Sequence, residues 1–159
     1  MKPLILILTL LLLLSSLPSC APRREAWEVL EERMAEYTLP DGVCYRSDAA
    51  EGESTYASPA LLASLYGTDA AKRITEFTES YAIYLSSFAL PCEMAVFRAY
   101  SRSDTHVLMA VCLERLDQLR VLLRHTEHAT ALKGASIVTD GYFVIMQIPP
   151  MTHEKGAFI

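Results

Sequence analysis

The residues best equipped for chemistry stand apart from one another along the chain. Glu93 heads an otherwise apolar run over 92–100, on the same strand face as Ala95, Phe97 and Ala99. A carboxylate placed there pairs with Arg115 or Arg98, or sits exposed at the strand end. A general acid of raised pKa is the sharper alternative, but no second carboxylate is spaced to complete a catalytic pair. His125 and His128 fall one turn apart if the helix before them continues, and a closed metal shell would need a further ligand. Imidazoles near a helix C-terminus are also favoured by its dipole. Neither His-Glu-x-x-His nor Cys-x-x-Cys occurs. Cys44, Cys92 and Cys112 are odd in number, so they cannot all pair with one another; one disulfide involving Cys44 remains open. Cys92 and Cys112 sit in apolar patterns that suit inert buried thiols. Asp48, Glu51 and Glu53 lack the spacing of a calcium loop, and the glycines form no phosphate cradle. Tyr45, Tyr56, Tyr81, Tyr84 and Tyr100 suit either a groove lining or plain packing. The reading assigns no catalytic, cofactor-binding or metal-binding residues.

The elements that would carry these groups follow from periodicity. Trp27, Leu30, Met34 and Tyr37 recur at helical spacing over 25–37, with an acidic opposite face. Pro40-Asp41-Gly42 signals a turn before a short strand at 43–46, and 48–54 is loop-like. Ser58-Pro59 reads as N-cap and first helical residue of a helix that Gly67 closes. Further helical turns are expected over 69–77. Strands at 80–87 and 92–100, apolar on both faces, form a hairpin broken at 88–91. Ser103-Asp104 opens the longest helix, to about His125. Its stripe is Met109, Cys112, Leu116, Leu119 and Leu123, widened by Leu108, Leu113 and Leu122. Strands at 135–139 and 142–148 flank Asp140-Gly141, a hairpin signal in which both positions would take φ > 0. The expected fold is α+β: a mainly antiparallel sheet built from two hairpins joined by a long helix, with helices packed on one side.

Upstream lies a different kind of signal. Lys2 precedes an apolar run over 4–14 interrupted only by Thr9. As a helix it would be about 16 Å long, about half the thickness of a hydrocarbon core. That suits a secretory signal rather than a membrane span. Leu17-Pro18-Ser19-Cys20 resembles the lipobox of bacterial lipoproteins, with Pro18 where a small or branched residue is usual. The resemblance implies cleavage before Cys20 and alkylation of its thiol with diacylglycerol. Two acyl chains give lasting membrane attachment where one gives only reversible binding. The alternatives are simple secretion, which would leave Pro22 first in the mature chain, and an uncleaved anchor. The resulting organisation is a signal peptide at 1–19, a tether at 20–24, one globular domain at 25–149 and a tail at 150–159. Arg23 and Arg24 would either meet anionic headgroups or form a solvated flank.

Composition agrees with a folded body. The chain has 159 residues, a formal net charge of −5, 52% hydrophobic and 21% charged residues. Losing residues 1–19, whose only charge is Lys2, would take the net charge to −6. A disordered tail would be far less hydrophobic, and an acidic balance argues against a nucleic-acid partner. An acidic body beside an anionic membrane would be repelled, so a lipid must hold it there.

Leu65-Tyr66-Gly67, the run over 82–87, Cys92-Glu93-Met94-Ala95-Val96-Phe97, Arg115, and Gly141-Tyr142-Phe143-Val144 together resemble a family of small Gram-positive bacterial lipoproteins. These carry a domain of unknown function, and the likeness covers roughly residues 55–150. It implies a membrane-tethered extracytoplasmic domain on the outer face of the cell membrane and supplies no catalytic residues. The expected role is a binding or accessory module that contacts an unknown protein or envelope component. An envelope-associated hydrolase or transferase is the alternative. A solute-binding component of a transporter is less suited, since closing around a solute usually takes two lobes.

Overall fold

The computed structural model describes residues 23–86 and 92–150. Four α-helices appear among them: α1 (Ala26–Met34), α2 (Pro59–Tyr66), α3 (Thr68–Phe77) and α4 (Thr105–Leu123). A 3-10 helix spans Glu127–Gly134. The strands are β1 (Gly42–Arg46), β2 (Thr78–Ser86), β3 (Glu93–Ala99), β4 (Ser136–Asp140) and β5 (Phe143–Ile148). They form one antiparallel sheet in the order β1-β2-β3-β5-β4. The hairpins β2–β3 and β4–β5 meet through β3 and β5, and α4 connects them. The α+β architecture is therefore as expected.

Alternation along the central strands decides where the helices must lie. Tyr81 and Ile83 of β2, Ala95 and Phe97 of β3, and Val144 and Met146 of β5 share one core with α2, α3, α4 and the 3-10 helix. The intervening residues Ala82, Tyr84, Met94, Val96 and Ile145 form a second core on the opposite face. Strands apolar on both faces need two covers, since each exposed large apolar side chain would forgo about 1.5–3 kcal/mol. Helix α1 provides the second one, burying Ala26, Val29 and Leu30 against that face. One-sided packing thus describes the other helices, and α1 lies across the sheet from them. Its start is fixed by a capping box in which the Glu25 backbone N–H donates to Glu28 Oε2 at 2.7 Å.

Two local expectations change. In the second hairpin Asp140 pairs with Phe143, so the loop residues are Gly141 and Tyr142, one position later than the Asp-Gly signal implied. Of these two loop residues, Gly141 alone has positive φ, at 61°. Glycine at the first loop position with an ordinary residue second is the type II′ pattern, which also matches strand twist. On α4 the buried stripe is Leu108, Val111, Cys112, Leu116 and Leu119. Leu113 and Leu122, expected to widen it, are exposed. They lie on the outward side of a helix whose inward arc the 108-111-112-116-119 spacing already fills.

The α2–α3 junction is a single residue. Ser58 Oγ accepts from the Leu61 N–H at 3.1 Å, Pro59 opens α2, and Gly67 ends it while starting α3. Gly67 has φ 88° and ψ 157°, a region essentially closed to other residues. A Cβ there would meet nothing within 4 Å, so the demand is on the backbone alone. Gly67→Ala is therefore expected to lower stability by about 1–3 kcal/mol, read as a shifted urea midpoint at unchanged slope.

Candidate functional site

The densest polar cluster joins three distant parts of the chain inside the apolar core. Glu93, at the head of β3, is only 4% exposed. Arg115 reaches it from the middle of α4, with Nη2 2.7 Å from Oε2 and Nε 3.2 Å from the same oxygen. The remaining guanidinium arm, Nη1, donates to the Leu65 carbonyl at 2.7 Å. Tyr66 donates its hydroxyl to Glu93 Oε1 at 3.1 Å. Its ring lies 5.6 Å from the Arg115 guanidinium carbon and meets Phe97 edge-on, with centroids 5.9 Å apart. Every strong acceptor of the carboxylate is thus matched by a donor, as a buried charge requires.

Electrostatics follow from that enclosure. Burial, then the adjacent Glu93 charge, pushes the Tyr66 phenol well above its ordinary value. Burial would lower the Arg115 guanidinium, but Glu93 outweighs it and the net shift is upward. The phenol stays neutral and the guanidinium charged, so neither is poised to exchange a proton near neutral pH. The cluster ties the α2–α3 turn and α4 to the head of the central strand β3. Of the two arginines considered from the sequence, Arg115 is the partner of Glu93. Arg98 instead bridges Glu79 and Glu25. Tyr66 was missed as a member. Its signal was the Leu65-Tyr66-Gly67 turn, which the structure brings against Glu93 and Arg115.

The remaining candidates separate. Cys44, Cys92 and Cys112 are all free thiols. Burial raises each of them, Cys92 to about 11, and Cys112 is fully enclosed. Helix α4 ends at Leu123, so His125 and His128 do not share it; His128 lies in the 3-10 helix. No group of three or more histidine, cysteine or acidic side chains that could hold a metal occurs among the described residues. Asp48 is held by Arg46, which also stacks on Trp27 at 4.4 Å. Tyr81 and Tyr84 are buried, their hydroxyls donating to the Ala57 and Pro40 carbonyls, and so serve packing. Cys20 lies outside the described residues.

One surface feature stands out among those described. A shallow trough of about 610 Å³ runs along the outer side of α4, lined by Glu114, Asp117, Gln118, Val121 and Leu122. Val121 and Leu122 are 66% and 73% exposed, and Leu113 lies one turn before Asp117 on the same stripe as Val121. Apolar side chains rimmed by acids and an amide have the character of a contact surface. No family model, curated protein or solved structure matches the chain.

Proposed function

We propose that this chain is a lipid-anchored extracytoplasmic lipoprotein, acylated at Cys20, whose α+β body serves as a binding or accessory module at the outer face of a bacterial membrane. The observation that carries the reading is Leu17-Pro18-Ser19-Cys20 two residues after a short apolar run. It is supported by the short connection to the folded body, whose helix α1 begins at Ala26, six positions after Cys20. The exposed apolar end of α4 favours a binding role for that body. The hydrolase or transferase alternative had Glu93 as its best acid, and that carboxylate is already engaged by Arg115 and Tyr66.

The test is the full chain expressed in a Gram-positive host, compared with Cys20→Ala. The parent is expected in the detergent phase, with a diacylglycerol-modified N-terminal cysteine by mass spectrometry. Cys20→Ala is expected to lose the modification and to remain an unprocessed precursor. Equal processing of the two, with no acyl mass on either, would remove the assignment.

A further inference from the structure

The way the chain leaves its tether fixes which end of the body meets the membrane, and the argument rests on the lipoprotein reading above. Arg98, near the end of β3, is the hub. Its Nη1 donates to the Arg24 carbonyl at 2.6 Å and lies 3.3 Å from Glu25 Oε1, while its Nε lies 3.1 Å from Glu79 Oε2. Glu79 also pairs with Arg23, and Arg24 pairs with Glu32. The two arginines of the tether, Arg23 and Arg24, are therefore matched by carboxylates of the body rather than offered to headgroups. Their work is to hold residues 23–25 against one end of the sheet, where Thr78 of β2 pairs with Ala99 of β3. From Arg23 back to Cys20 is at most about 11 Å of extended chain. A lipid on Cys20 cannot reach the bilayer unless that end lies close to it.

The same end carries exposed tyrosines. The Ala99 N–H donates to the Tyr142 carbonyl at 2.8 Å, which places the β4–β5 hairpin loop beside the end of β3. Tyr142 and Tyr100 are exposed, and the Arg102 guanidinium lies 5.7 Å from the Tyr142 ring centre. Tyrosine, with an apolar ring and a polar tip, suits the headgroup level of a bilayer, and arginine on its flexible stem reaches phosphates. Asp104 and Asp140 lie nearby, so the surface is amphipathic rather than basic. The acidic loop with Glu51 and Glu53 follows β1 at the same end of the sheet, two strands to the side of β3 and away from the Tyr100–Tyr142 surface.

The opposite end is set by Arg115, which meets Glu93 at the head of β3. The seven residues of β3 span about 20 Å. Val121 and Leu122 lie about 10 Å further along α4. We infer that the anchored domain stands on the headgroup region of the bilayer through Tyr100, Arg102 and Tyr142, and holds the apolar end of α4 outward.

The experiment uses the full chain purified with its anchor and reconstituted in phosphatidylethanolamine–phosphatidylglycerol vesicles whose acyl chains are brominated. In a Trp27→Phe background, which removes the only native tryptophan, Tyr142→Trp is compared with Leu122→Trp. Both positions are exposed, so neither substitution disturbs the core. Tyr142→Trp is expected to be quenched severalfold more strongly than Leu122→Trp. Equal quenching, or the reverse order, in vesicles that float with an acylated chain would overturn the orientation while leaving the anchor intact. A fluorescence change at Tyr142→Trp that depends on protein concentration and not on vesicles would also overturn it, assigning this end to a second copy. A chain that neither floats nor carries acyl mass would instead defeat the lipoprotein reading beneath it.

Discussion

Arg115→Leu is expected to destabilise the domain by about 3–5 kcal/mol, the loss associated with stranding one partner of a buried ion pair. The Glu93 side chain is 5% exposed and the Arg115 side chain 14%, so water cannot replace the guanidinium when it is removed. Glu93 would keep only the Tyr66 hydroxyl, and the Leu65 carbonyl would lose its donor as well. The corresponding change at an exposed pair is the control. Arg73→Leu, which removes the partner of Glu114 at the surface of α3 and α4, should cost no more than about 1 kcal/mol. Urea titrations of both variants give the comparison. The double variant Glu93→Leu/Arg115→Leu should be more stable than either single change, because it leaves no unpaired charge. If Arg115→Leu cost no more than Arg73→Leu, the cluster would not be holding the turn to the sheet. Tyr66 adds a pH signature. Its phenol is raised in the folded state, so its contribution is complete below the ordinary tyrosine pKa of about 10 and lost as pH rises beyond it.

How the cluster assembles shows what a linear reading can and cannot reach. Gly67, Glu93 and Arg115 were each conspicuous in the sequence: a glycine after a capped helix, a carboxylate opening an apolar strand, an arginine in a long helix. Their convergence depends on how α2 and α4 cross the sheet, which no local spacing encodes. The same holds for α1. Its amphipathic pattern was plain from Trp27, Leu30 and Met34, and β2 and β3 were plainly apolar on both faces. Nothing in either pattern alone assigned that helix to the uncovered face. On α4, leucine is apolar wherever it stands, so Leu113 and Leu122 matched the core stripe in composition and left it in angle. The ions at Arg23 and Arg24 make a similar case: in sequence they resemble a basic flank, and in the fold Glu79 and Glu32 claim them.

Phe97→Ala is the other large loss expected, and it reaches the same cluster from the apolar side. Phe97 is wholly buried at the middle of the sheet, in register with Tyr81 on β2 and Val144 on β5. Truncation removes the transfer free energy of the ring and opens a cavity between sheet and helices that strand neighbours cannot close, a loss of about 3–5 kcal/mol. Against a total of about 5–15 kcal/mol for a domain of this size, that is enough to populate the unfolded state in mild denaturant. Phe97→Leu, which keeps most of the volume, should lose distinctly less, and the contrast separates cavity formation from any general intolerance of the strand. The ring also presses edge-on against Tyr66, whose hydroxyl is bound to Glu93. Removing it frees the tyrosine that Arg115 stacks on, so the two substitutions share a partner and their effects should not add. A double-mutant cycle of Phe97→Ala with Arg115→Leu is expected to show a coupling of about 0.5–3 kcal/mol. Strict additivity would mean that Tyr66 is held by the ion pair alone and that the core and the polar cluster are energetically separate.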